Sequence, residues 1–62
     1  MTDLPPTIGR AATRALTAAG HRTLEQLTAV TEKELLALHG VGPKAIRLLR
    51  AELAEHGLAF RA

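Results

Sequence analysis

The segment Leu38-His39-Gly40-Val41-Gly42-Pro43-Lys44 constrains this chain more than any other, because it must stop one helix and open another within a few residues. Glycine at 40 and 42 admits positive φ and a close approach of the backbone to a neighbour or a ligand, and Pro43 is pre-set for the first helical position. Val41, between the glycines, is placed to plug the turn into a core. The helix opening at Pro43 begins with N–H groups that lack intrahelical acceptors and carry the positive end of its dipole, so an anion is stabilised there. Lys44 adds a full charge beside them.

The rest of the chain is punctuated in the same style. Pro5-Pro6 ends a leader over residues 1–6, expected to be flexible, and Thr7 is positioned to cap a helix over about 8–19 that Gly20 stops. Thr23 to Gln26 and Thr31 to Glu34 have capping-box spacing, which predicts short helices near 24–29 and 32–38. A last helix over about 43–55 carries an apolar face of Ala45, Ile46, Leu49 and Leu53, and Gly57 ends it. Leu58 and Phe60 are expected to fold back as an apolar clasp. Sustained period-2 alternation is absent, so the chain reads as all-α, a compact bundle of four to five short helices in one domain, 1–62. Its larger apolar residues, Leu36 among them, suffice for a single core of modest stability, roughly 3–5 kcal/mol.

An internal echo relates two parts of the chain. Residues 7–16 align with residues 40–49, pairing Gly9 with Gly42, Ala12 with Ala45, Arg14 with Arg47 and Leu16 with Leu49. Two pseudo-repeated hairpin motifs follow, one over about 7–29 and one over about 31–57. Thr7 stands where the second copy has Gly40, so the first is expected to contribute Arg10 and Arg14 more than a phosphate-cradling loop.

Eight basic side chains against six acidic ones leave a net charge of +2, and the surplus is local. Up to His39 the two signs balance, whereas beyond it Lys44, Arg47, Arg50 and Arg61 face only Glu52 and Glu55. That is the footprint expected of a surface for a polyanion. Lys44 and Arg47 fall on the helix face opposite Ile46 and Leu49, Arg10 and Arg14 are one turn apart, and His39 adjoins the turn. The chain has no serine, cysteine or tyrosine, and its histidines lack metal-ligand spacing. No catalytic residue, metal site or cofactor is therefore expected. Phe60 is the only aromatic residue besides the histidines, which leaves no platform for stacking single-stranded bases and favours duplex. Neither a membrane-spanning run nor a signal-peptide pattern appears, so a cytoplasmic, nucleoid-associated monomer is expected.

Leu38-His39-Gly40-Val41-Gly42-Pro43-Lys44 resembles the hairpin of the helix-hairpin-helix DNA-binding domains, which reads apolar-x-Gly-apolar-Gly before a basic helix start. Thr23-Leu24-Glu25-Gln26-Leu27, Thr31-Glu32-Lys33-Glu34-Leu35-Leu36 and Glu52-Leu53-Ala54-Glu55-His56-Gly57-Leu58 extend the likeness over nearly the whole chain. In order and spacing they are similar to the C-terminal domains of bacterial RNA polymerase alpha subunits, and the resemblance implies a SAM-like fold. It further implies DNA binding across the minor groove, through the hairpin glycine and lysine (Gly42 and Lys44 here) and an arginine of the first helix. Ala11 occupies that arginine's aligned position, with Arg10 beside it and Arg14 one turn along, and Ala45 replaces a polar residue after the lysine. The expected DNA-binding set is Gly40, Val41, Gly42, Lys44, Arg47, Arg10, Arg14 and His39, serving transcription or DNA repair. The alternative is a protein-interaction module that docks onto RNA polymerase, a transcription factor or a larger nucleic-acid enzyme.

Overall fold

Four α-helices and one 3-10 turn make up the secondary structure of the computed structural model, which describes residues 2–62. Pro6–Ile8 form the 3-10 turn, followed by α1 (Arg10–Ala18), α2 (Leu24–Leu27), α3 (Glu32–Leu36) and α4 (Pro43–Glu55). No strand occurs among the described residues, and an isolated antiparallel bridge joins Asp3 to Thr23. No described helix is long and apolar enough to cross a membrane.

The α4 boundaries are those expected of Pro43 and Gly57, but α1 starts later than expected. Thr7 lies inside the 3-10 turn and Gly9 is the N-cap of α1, at φ 92° and ψ 163°. The two prolines at 5 and 6 favour a tight turn that ends with the Gly9 amide on the Pro6 carbonyl, and only then can the helix begin. Both long helices finish with the paired hydrogen bonds of a Schellman motif. His21 N–H donates to Leu16 O (2.8 Å) and Gly20 N–H to Thr17 O (3.0 Å); Leu58 N–H donates to Leu53 O (2.8 Å) and Gly57 N–H to Ala54 O (3.1 Å).

The short helices α2 and α3 end earlier than expected and are held at their starts. Thr31 Oγ1 accepts from Glu34 N–H at 3.1 Å while Glu34 Oε1 accepts from Thr31 N–H at 2.9 Å, a complete capping box. At α2 the Gln26 side-chain oxygen accepts from Thr23 N–H (3.1 Å), and Leu24 N–H donates to the Thr2 carbonyl (2.8 Å). Thr2 N–H in turn donates to Glu25 Oε1 at 2.9 Å. The leader expected to be flexible is thus fastened across the start of α2, a long-range pairing that carries no local sequence signal.

Leu16, Leu24, Leu27, Leu49 and Leu53 are wholly inaccessible and, with Ile8, Leu35, Val41 and Ile46, form the core. Ala12 and Ala45 are buried as well, and their small side chains let α1 and α4 approach other elements closely. Leu4, Leu58 and Phe60 pack against this core from the two chain ends. Leu36 corrects an expectation: it is 45% exposed. In a five-residue helix the inward direction is taken by Leu35, and the next residue points about 100° away.

Candidate nucleic-acid interface

The starts of α1 and α4 converge on one groove. A cleft of about 400 Å³ is lined by Gly9, Arg10 and Ala11 from the first helix start and by Gly42, Lys44 and Ala45 from the second, with Gly40 and Leu48 beside them. Neither helix has a side-chain cap. The amides of Arg10, Ala11, Lys44 and Ala45 find no acceptor among the described residues, as first-turn amides do unless something outside the helix supplies one. Two helix dipoles therefore present their positive ends to the same cleft.

Gly40 holds the two helices in this relation. Its φ is 98°, and a Cβ built there would lie 3.1 Å from the Ala11 carbonyl oxygen and 3.6 Å from the Ala15 Cβ. The turn thus packs directly on the backbone of α1. Gly42 differs from the sequence expectation: its φ is −109°, an ordinary extended value, and a Cβ there would meet nothing within 4 Å. The fold accepts a side chain at Gly42, so the glycine there matters only for what approaches from outside. Val41 plugs the turn into the core as expected, but its N–H donates to the Leu38 carbonyl at 3.2 Å, so it leaves the expected DNA-binding set and has no amide to offer an anion.

A second groove of about 320 Å³ adjoins the first through Ala11 and Gly40, which line both. Arg14 and His39 flank it, over a floor that includes Ala15 and Ala18. Arg10, Arg14, His39 and Lys44 thus share one continuous face, all exposed, and no acidic residue lines either groove. Arg47 is exposed one turn along α4 from Lys44 but lines neither groove. Arg50 and Arg61 are turned to other uses, pairing with Glu32 and Glu34 of α3. Arg10, Arg14, Lys44 and Arg47 have no carboxylate partner among the described residues. Among those residues no cluster of three or more metal-ligating side chains occurs.

The amides of Arg10 and Ala11 are a larger part of this face than the sequence predicts, since it weights the first turn toward its arginine side chains. Gly9 was their signal, since a glycine N-cap leaves a helix start without the side-chain acceptor that Ser, Thr, Asp or Asn would provide.

No protein-family model, curated protein or solved structure matches this chain. The geometry of the face, and the hairpin resemblance in the sequence, carry the functional reading.

Proposed function

We propose that this chain is a non-catalytic DNA-binding module that grips the phosphate backbone of a duplex on its minor-groove side. The observation that carries the proposal is the convergence of two uncapped helix starts, with Arg10 and Lys44, on one cleft free of carboxylates. Unpaired amides and unpaired cations together are what a phosphate oxygen recruits. Arg14 extends the charge along the adjoining groove, His39 adds a hydrogen-bonding ring there, and Arg47 supplies a further contact beside Lys44.

The helix-hairpin-helix reading has support in matched environments. Ile8 and Val41 are both buried ahead of a helix, Gly9 and Gly42 are both N-caps, and Ala12 with Ala45 and Leu16 with Leu49 are buried at equivalent turns. On this reading two pseudo-repeated motifs share one core, in the manner of the RNA polymerase alpha C-terminal domains. With Ala11 and Ala45 in place of larger polar side chains, the face is suited to phosphates rather than base edges, and phosphate contacts position without specifying.

The test is a titration of isotope-labelled protein with a duplex of about 12 base pairs at two salt concentrations, chosen because the domain is 27 Å long and base pairs repeat at about 3.4 Å. Amide shifts are expected at Arg10, Ala11, Gly40, Gly42, Lys44 and Ala45, with Val41 protected by its internal bond. About four phosphate contacts give a log K against log salt slope near −3.6 and a Kd of roughly 10⁻⁴ to 10⁻⁶ M at physiological salt. Groove amides that stay unmoved while DNA is added overturn the proposal and leave docking onto a protein partner as the alternative.

A further inference from the structure

The eight basic side chains are not equally available, and the difference follows α4. Lys44, Arg47 and Arg50 are spaced three apart, so each is rotated about 60° from the last and together they form a basic stripe that winds away from the groove. The stripe is interrupted at Arg50. Its Nε donates to Glu32 Oε2 at 2.9 Å and its Nη2 to the other oxygen of the same carboxylate, a two-pronged pairing that uses both ends of the acid. Glu32 is the first residue of α3, where its charge also faces the positive end of that helix. The pairing holds the Arg50 guanidinium more firmly protonated, through the hydrogen bonds first and the charge second.

Stability alone is a poor account of this pair. Arg50 is 61% exposed and Glu32 35% exposed, and ion pairs so open to water contribute little to folding. Its effect on the electrostatic surface is larger: a cation that would lengthen the stripe is occupied, and a carboxylate stands beside it to repel phosphate. Glu34, also on α3, likewise occupies Arg61 of the C-terminal segment.

Resting on the DNA-binding reading above, we infer that Glu32 sets the extent of the DNA surface, ending it at Arg47 by withholding Arg50 and so confining the duplex to the α1–α4 groove. Glu32→Gln frees Arg50 to take one more phosphate. The log K against log salt slope of that variant is expected to steepen by about 0.9, with a new DNA-dependent shift of the Arg50 Nε–H. Glu55→Gln makes the same change in net charge at an exposed residue with no ion pair among the described residues, and is expected to keep the wild-type slope. Arg50→Gln, alone or combined with Glu32→Gln, is also expected to bind with the wild-type slope.

The outcomes separate cleanly. A Glu32→Gln slope equal to wild type, or an equal steepening by Glu55→Gln, overturns the inference, the second because it reports net charge alone. A double variant that stays steep shows that the added contact is not Arg50, and a shallower slope for Arg50→Gln alone shows that wild-type Arg50 already touches DNA; either result overturns it too. Where Glu32→Gln fails to fold, Glu32→Ser removes the same carboxylate while keeping a polar residue at the start of α3, and its slope is read in the same way. Wild-type groove amides that do not respond to DNA remove the function reading and this inference together, whereas a normal wild-type footprint with an unchanged Glu32→Gln slope removes the inference alone.

Discussion

The starts of α2 and α3 are closed, while those of α1 and α4 are open. Side-chain oxygens of Gln26, Thr31 and Glu34 and the Thr2 carbonyl occupy the first pair, whereas glycines without side-chain caps precede the second. Closing a helix start satisfies amides that would otherwise need water, and because glycine is itself a fair N-cap, leaving these two open forgoes only a few tenths of a kcal/mol at each. Both open starts face the same cleft, and both closed ones lie outside it. The closed pair maintains the fold; on the proposed function, the open pair is the part that meets phosphate.

The two glycines of the second turn allow this comparison to be broken at separate points. Gly40→Val is expected to have the largest effect, a loss of about 3 kcal/mol, because a β-branched residue at positive φ is strained and its Cβ meets the Ala11 carbonyl. Urea denaturation checks it, and against a total of only a few kcal/mol the variant should be largely unfolded at room temperature. Gly42→Asp closes the start of α4 with a side-chain cap in a backbone conformation that accepts one. DNA affinity is expected to fall more than about tenfold while the urea midpoint holds or rises, tenfold being about 1.4 kcal/mol. A Gly42→Asp protein that binds DNA normally would mean that the open start is not the binding element.

Lys44→Gln is the milder probe of the same end. Its salt slope is expected to be shallower by about 0.9 with folding unchanged, since the side chain is exposed and unpaired. Thr31→Ala tests the closed side and is expected to cost about 1 kcal/mol in stability with no change in DNA affinity, measured by denaturation and titration on one sample.

The smallest effect is in the pH dependence. Glu25 is held below its ordinary value of 4.5 by the Thr2 N–H it accepts, and Glu34 by the Thr31 N–H and then by Arg61. A carboxylate whose pKa is lowered on folding contributes stability that is complete above its unfolded value and is lost as pH falls through the folded one. The closed starts of α2 and α3 are therefore expected to weaken only below about pH 4.5, visible as a falling melting temperature in acid. A decline assigned to these two carboxylates above that pH would contradict their bonding.

Much of this arrangement was legible in the residues. Pro43 and Gly57 bracket α4 at the positions where it begins and ends, and Thr31-Glu32-Lys33-Glu34 spells out a cap that is present in full. Local chemistry decides such features, so local sequence reveals them. Thr7 misled because a good capping residue lost to the turn that two prolines impose before Gly9. Gly40 and Gly42 look alike in sequence and differ in backbone conformation and in what they touch, Gly40 meeting Ala11 and Ala15 of α1, twenty-five or more residues away. The same limit applies to Arg50 and Thr2, whose partners lie 18 and 23 residues off.

Both ends of the chain are fastened to the same stretch. Thr2 is bonded to Leu24 and Glu25, and Arg61 donates its N–H to the Val30 carbonyl at 2.9 Å and its guanidinium to Glu34. None of these residues lines either groove. A fluorophore or a surface tether attached beyond either end would therefore emerge beside α2 and α3, leaving the glycine-capped face open to solution, so immobilised protein can be used for the salt titrations without masking the surface they measure.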